Sequence, residues 1–360
     1  MTAKLTALLG RSGSGKTTAC LRAMRSRLLA QPNGPALVLV TQEHEVYQAE
    51  RRLAACIPPA HGRGYLRAYV FGFRRLSEHI LQETGGAALP RITDLGRRLL
   101  LRRVLERRQK DLTVFARAAR QHGFGDELAG IIRECKSYGL TADALQEAGA
   151  QVKDPRLSGK LSDMALLLRD FESEMADKAA DGEDRMQAFA ARIPESALLR
   201  GAEIWIDGFT FFNPQERAVL AALLDTAAAV HVTFPMDPDL DAASNVRESG
   251  LFHRAYQTFL ELGALAAEKG TALHIGRLTG FHRSAVPALV QIERELFHFP
   301  QRPLAGEAHG VQLVEAANPR LETEAVAADI LRLLRDEGYR ASDIGVLVRD
   351  AETYAGLLRR

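Results

Sequence analysis

Residues 4–17 read Lys4-Leu5-Thr6-Ala7-Leu8-Leu9-Gly10-Arg11-Ser12-Gly13-Ser14-Gly15-Lys16-Thr17, and the fold follows from this run. Its first six residues look like a short buried strand. The next eight fit the phosphate-binding pattern G-x-x-x-x-G-K-[ST] without a mismatch. Glycines let the backbone curl so that several N–H groups point at phosphates, and the following helix adds its positive N-terminus. Lys16 supplies a point charge for β- and γ-phosphates, and Thr17 offers a hydroxyl to Mg²⁺. A strand leading in and a helix leading out are the context this chemistry needs. Gly10, Arg11, Ser12, Gly13, Ser14, Gly15, Lys16 and Thr17 are therefore the expected nucleotide-binding set, with ATP and Mg²⁺ as the expected ligands.

Working outward, a helix is expected over 16–29, a loop over 31–35 and a continuously apolar strand over 36–41. Strand, crossover helix and strand make a βαβ unit of a parallel sheet covered on both faces. A helix at 43–57, a strand at 68–71 and a helix at 74–84 continue the pattern. From residue 89 to 193 strand signals vanish and helical periodicity takes over, punctuated by Gly123, Gly139, Gly149 and Asp154-Pro155. Strands resume at 202–207 and 229–234, with a helix at 214–228 between them. A further section opens near Gly310 with a strand at 311–316, an amphipathic helix at 321–337 and a strand at 344–348. The expected fold class is α/β: a discontinuous P-loop domain over 1–88 and 194–305, an all-helical insertion over 89–193, and a second α/β domain begun at 306–360. Since that last domain is unfinished, the chain is expected to be a fragment of a longer polypeptide.

Bulk properties exclude several classes. The 47 basic and 45 acidic side chains leave a net charge of +2, so any nucleic-acid binding must come from local patches. Cys20, Cys56 and Cys135 are far apart and form no C-x-x-C pair, which fits a reducing cytosol rather than a disulfide framework or zinc ribbon. No apolar run approaches a membrane span, and no signal-type segment opens the chain. A cytoplasmic location is expected.

P-loop NTPases need an acidic residue at the end of a second strand to hold Mg²⁺. Asp207 closes a strand of that type, although aspartate also caps turns. The run Ile206-Asp207-Gly208-Phe209-Thr210-Phe211-Phe212-Asn213-Pro214-Gln215 resembles the D-E-F-Q-D-T-N-P segment of superfamily 1 helicases of the UvrD/RecB type. Asp207, Phe209, Asn213 and Pro214 match it. Gly208 stands where the catalytic glutamate would be, Thr210 at the glutamine and Phe211 at the second aspartate. Glycine cannot polarise an attacking water. Val40-Thr41-Gln42-Glu43-His44-Glu45 lacks the base-stacking aromatic of the corresponding helicase segment, and the strand 230–234 ends in Pro235-Met236-Asp237-Pro238 rather than G-D-x-x-Q. Ile344-Gly345-Val346-Leu347-Val348-Arg349 resembles the later helicase strand whose terminal arginine reaches the γ-phosphate. Arg349 is thus a further candidate, against a purely structural role.

An intact P-loop beside motifs altered in this way resembles one family, AddB (RexB), the second subunit of the AddAB helicase–nuclease. The resemblance is carried by residues 9–17, by Val70-Phe71-Gly72-Phe73-Arg74-Arg75-Leu76, by Thr84-Gly85-Gly86, and by Ile206 through Glu216. It implies a RecA-like, helicase domain 1A-like sheet, a 1B-like insertion and the start of a 2A-like domain. It also implies a subunit that does not itself translocate, an AddA-like motor partner, DNA ends and single strands as substrate, resection of double-strand breaks, and a response to the Chi sequence. The family's nuclease domain and 4Fe–4S cluster are expected beyond Arg360. Glu134-Cys135-Lys136 has the E-x-K form of a nuclease triplet but is read as a solvated helix face.

Two basic patches are candidates for DNA. Arg97, Arg98, Arg102, Arg103, Arg107 and Arg108 recur in pairs along one expected helix, where they could follow a phosphate backbone or line a solvated face. Arg98 and Arg102 stand for that patch. Arg74 and Arg75, after Phe71 and Phe73, form a smaller one. Two other functions remain open from the residues: an active superfamily 1 helicase whose base lies elsewhere, and a P-loop small-molecule kinase.

Overall fold

A computed structural model describes residues 3–58, 67–86, 90–121, 123–176 and 181–358. The expected 88/89 boundary lies outside these described residues. The chain divides into two compact units, 1–283 and 284–360.

In the first unit the order is β1 (Lys4–Gly10), α1 (Lys16–Ala30), β2 (Leu37–Val40), α2 (Val46–Cys56), β3 (Ala68–Phe71) and α3 (Phe73–Glu83). Five helices follow: α4 (Asp94–Arg108), α5 (Phe124–Ser137), α6 (Ala142–Gln151), α7 (Pro155–Met175) and α8 (Gly182–Arg192). Then come β4 (Glu203–Ile206), α9 (Pro214–Thr226), β5 (Ala229–Phe234), α10 (His253–Glu268) and β6 (Leu273–Leu278). The strands form one sheet in the order β3-β2-β4-β5-β1-β6, and all of its pairings are parallel. Parallel strands need helical crossovers, which bury both faces and explain the unbroken apolar runs. Leu37, Val38, Leu39 and Val40 are all fully buried.

One face of the sheet is covered by α1 and α2, which pack Cys20, Leu21, Met24, Val46 and Leu53 against Leu37, Leu39 and Trp205. The other is covered by α3, α8, α9 and α10, through Leu76, Phe189, Leu223 and Phe259. Helices α4, α5 and α7 close around a separate apolar core of Leu101, Val104, Leu128, Ile132, Leu168 and Phe171. Local signals set the helix starts. Asp154 accepts from the Arg156 N–H at 2.9 Å ahead of Pro155, and Asn213 with Glu216 forms a reciprocal capping box ahead of Pro214.

Sequence patterns mark no element between 234 and 310, yet α10 and β6 lie there. β6 is an edge strand, half-exposed, whose Leu-His-Ile-Gly-Arg-Leu run has no clear apolar period. Its pairing to β1 makes it a strand, and that information is not local.

The second unit contains α11 (Pro287–Glu295), α12 (Pro319–Asp336) and α13 (Ala351–Leu358). The strands expected at 311–316 and 344–348 form no sheet ladder. Leu313 and Leu347 are fully exposed and α12 buries no residue. Two short strands cannot hold a parallel sheet unless further strands or helices cover them. Among the described residues, no helix is long and apolar enough to cross a membrane.

Candidate nucleotide-binding site

The carboxyl ends of β1, β4 and β5 carry the groups singled out from sequence. In open α/β sheets ligands bind at this edge. β1 delivers the chain to Gly10, and α1 takes over at Lys16. Between them Gly13 adopts φ 76°, a left-handed conformation that L side chains resist. A Cβ there would also stand 2.9 Å from the Phe281 ring. The N-cap of α1 is Gly15, so no side chain caps the helix and no acidic residue occupies its first turn. No side chain within the helix itself offsets the positive end of its dipole.

The Lys16 ammonium folds back over the loop and donates to the carbonyl oxygens of Gly10 at 2.7 Å and Arg11 at 2.9 Å. Arg11 is held by Asp237, 3.4 Å away, and lies 5.2 Å over the Phe252 ring. The Thr17 hydroxyl donates to Asp207 Oδ2 at 2.5 Å, joining positions 190 residues apart. The other carboxylate oxygen, Oδ1, accepts from the Thr233 hydroxyl at 2.6 Å. Asp207 and Thr233 are both buried. Ser14 Oγ is buried with no hydrogen-bond partner among the described residues. A buried polar group without a partner is the exception in folded proteins, and a ligand at the loop would account for it.

These groups fit a nucleotide with Mg²⁺. The loop at the N-terminus of α1 is the kind of place where backbone N–H groups bind anions, with the Lys16 ammonium held over it by the Gly10 and Arg11 carbonyls, while Thr17 and Asp207 carry the hard oxygen donors that Mg²⁺ prefers. Next to Asp207 lies Gly208, with φ 85° and its carbonyl accepting from Gln42 Nε2 at 3.3 Å. No side chain stands there to take a proton from water.

One contact on the loop has no counterpart in the sequence patterns. The segment after β6 crosses the loop, with the His282 N–H donating to the Gly13 carbonyl at 2.8 Å and Phe281 against Gly13. Its placement depends on β6, which gives no local signal. Thr233 reads in sequence only as part of a strand. Arg349 belongs to the 284–360 unit.

The basic patches are unequal. Arg74 and Arg75 are exposed in the first turn of α3. Arg74 lines a cavity of about 190 Å³ with Arg91, Arg185 and Asn213. Arg98 is paired with Asp126 at 2.8 Å, and Arg102 with Glu106 at 3.0 Å. Arg97 is buried. Arg103, Arg107 and Arg108 bond Asp170 and Glu174 of α7, which staples α4 to α7. Much of that helix's positive charge is thus offset within the protein.

The Glu134-Cys135-Lys136 triplet is not a solvated face. Lys136 is buried and pairs with Asp181 at 2.7 Å and Asp184 at 2.6 Å, because α8 packs beside α5. Burial alone would lower the lysine pKa, but the two carboxylates outweigh it and raise it above the ordinary value.

A protein-family model described as "ADDB, N-terminal" matches residues 7–293. The chain is 41% identical over 360 residues to the B subunit of the ATP-dependent helicase/deoxyribonuclease of Desulforudis audaxviator, covering 98% of this chain and 30% of that protein. It is 40% identical over 357 residues to the protein of the same name from Pelotomaculum thermopropionicum, with the same coverage of 98% and 30%. It is 40% identical over 358 residues to that of Heliobacterium modesticaldum, covering 96% of this chain and 29% of that protein. The chain therefore spans about 30% of the length of these curated relatives.

Proposed function

This chain belongs to the AddB N-terminal family, and from that premise we propose that it is the ATP-binding, helicase-like region of the AddB subunit in a helicase–nuclease that resects double-strand DNA breaks for recombinational repair. The observation that carries the reading is the Thr17–Asp207 contact at 2.5 Å with Gly208 immediately beyond it. The first joins the loop to the acidic strand end, as a nucleotide–metal site needs. The second leaves that position without a side chain that could act as a general base.

In this reading the backbone of 10–15 and Lys16 bind the phosphates, and Thr17 and Asp207 hold Mg²⁺. The metal, when bound, neutralises charge between the β- and γ-phosphates. A RecA-like arrangement is supported by the strand order, in which β5 lies between the strand of the loop and the strand of Asp207. Arg349, in the 284–360 unit, is kept as a γ-phosphate candidate on the helicase-strand resemblance alone. The subunit acts cytoplasmically beside an AddA-like motor, on duplex ends and single strands. Arg74 and Arg75 are the favoured DNA contacts, ahead of Arg98 and Arg102, whose charges are already paired. A nuclease domain and a 4Fe–4S cluster are assigned to the full-length subunit by the family resemblance alone; the relatives are roughly three times longer than the stretch they share with this chain.

The test is a titration of a fluorescent ATP analogue with Mg²⁺ into the protein and its Lys16→Ala variant, followed by turnover. Loss of the lysine contact should weaken binding by roughly 1.5–3 kcal/mol, as for a hydrogen bond to a charged group. Turnover should remain at background. Equal binding by both proteins refutes the phosphate role of the loop. Robust DNA-stimulated hydrolysis by the AddB-type subunit without its partner favours an active motor, and phosphoryl transfer to a metabolite favours a kinase.

A further inference from the structure

We propose that Thr233 is a positioning residue for the metal-binding carboxylate, fixing Asp207 so that Thr17 and Asp207 act as one site; this rests on the nucleotide reading above. β1, which leads into the phosphate loop, and β4, which ends at Asp207, are not neighbours: β5 separates them. With strands about 4.8 Å apart, the Asp207 carboxylate must reach across β5 to meet Thr17. The terminal torsion of aspartate is broad, so nothing in the side chain itself fixes the plane of that carboxylate.

β5 supplies the missing constraint. Thr233 lies one residue past the Ile206–Val232 pair and in register with Leu8 of β1, directly between the two strands. Its hydroxyl donates to Oδ1 at 2.6 Å while Thr17 donates to Oδ2 at 2.5 Å. Each carboxylate oxygen thus accepts one hydroxyl hydrogen bond, and the plane of the carboxylate is set by the start of α1 and by β5 together. Because Thr17 gives its proton to Asp207, the remaining lone pairs of its oxygen are available to a cation. Sheet packing does not require a hydroxyl here. Thr233 is 1% exposed, its side chain lies on the sheet face opposite to those of Val232 and Phe234, and valine would fill the same volume. The buried hydroxyl therefore answers to Asp207.

The experiment compares Thr233→Val and Thr233→Ser with the unsubstituted protein, titrating a fluorescent ATP analogue in Mg²⁺ and again in EDTA. Thr233→Val should weaken Mg²⁺-dependent binding about tenfold, the low end for removing a partner of a metal-ligating carboxylate, while binding in EDTA stays within about twofold. Thr233→Ser, which keeps the hydroxyl, should restore the Mg²⁺-dependent component even if Thr233→Val is less stable. Unchanged Mg²⁺-dependent binding in Thr233→Val, equal losses with and without metal, or failure of Thr233→Ser to rescue each overturn the proposal while leaving nucleotide binding intact. Absence of binding by the unsubstituted protein is a different result: it removes the nucleotide reading and Thr233's role together.

Discussion

Replacing Gly208 tests what the backbone of the turn after Asp207 allows a side chain there to do. Gly208 holds φ 85° at the turn that follows β4. A Cβ added there would meet Gln42 and Thr41 at 3.7 Å, an ordinary contact, so space is not the obstacle. The cost is conformational: a left-handed non-glycine residue is strained by about 1–2 kcal/mol. Alanine also restricts the unfolded chain, which returns about 0.4–1 kcal/mol. Gly208→Ala should therefore lose about 1 kcal/mol net, a fall of about 2–4 °C in Tm for a unit of this size. Gly208→Asn should lose less, since asparagine tolerates the left-handed region. Gly208→Glu should carry the same strain and bring a second carboxylate beside Asp207. It should therefore yield no Mg²⁺-dependent ATP turnover, although it restores the residue that motor helicases carry. Thermal and urea unfolding read the first effect, and phosphate release the second. A Gly208→Ala variant as stable as the original, or a Gly208→Glu variant that turns over ATP, refutes the reasoning that the backbone of this turn fixes the outcome.

Buried charges set the remaining expectations. Lys136→Met leaves Asp181 buried without its cation and should cost about 3–5 kcal/mol, read as a loss of thermal stability with exposure of α5 and α8 to hydrogen exchange. Burial raises the Asp181 pKa, but Lys136 and the Asp184 N–H outweigh it and hold the carboxyl below the usual range. A depressed folded-state pKa contributes stability that is complete above the unfolded carboxyl pKa, about 3.9, and is lost as pH falls through the folded value. Stability should thus fall in acid below about pH 4, and Asp181→Asn should flatten that part of the profile. Asp163 is buried and accepts from the N–H groups of Thr113, Val114 and Phe115 at 2.8–3.1 Å, so Asp163→Ala should cost about 3 kcal/mol and loosen the helical core first, a change read by hydrogen exchange in α4, α5 and α7. Arg74→Ala together with Arg75→Ala should weaken single-stranded DNA binding more than Arg98→Ala with Arg102→Ala, and should reduce the salt dependence by up to about two counterions.

The elements legible in the amino-acid order are those whose signals are local. The glycine-lysine-threonine loop lies between a strand and a helix, as its pattern demands, and the unbroken apolar run Leu37–Val40 marks β2 as an interior strand. Asp207 is legible as the aspartate that closes β4, but the same signal fits a turn cap, and sequence alone does not separate the two. What those elements do together depends on the folded chain. Sequence separation hides the 2.5 Å contact of Thr17 with Asp207, because the strand order that brings them together is a property of the whole sheet. The same order places Thr233 between them, where no periodicity distinguishes it from any other strand threonine. β6 is a strand only by pairing with β1, and through it Phe281 and His282 come to lie on the loop. The arginine pairs of α4 read alike as a helix face, yet burial and the carboxylates of α7 assign Arg97, Arg103, Arg107 and Arg108 to structure. Lys136 shows the same limit: a triplet on a helix says nothing about the helix packed against it. Propensity and periodicity act within a few residues, while charge pairing, burial and catalytic geometry depend on groups brought together across the fold.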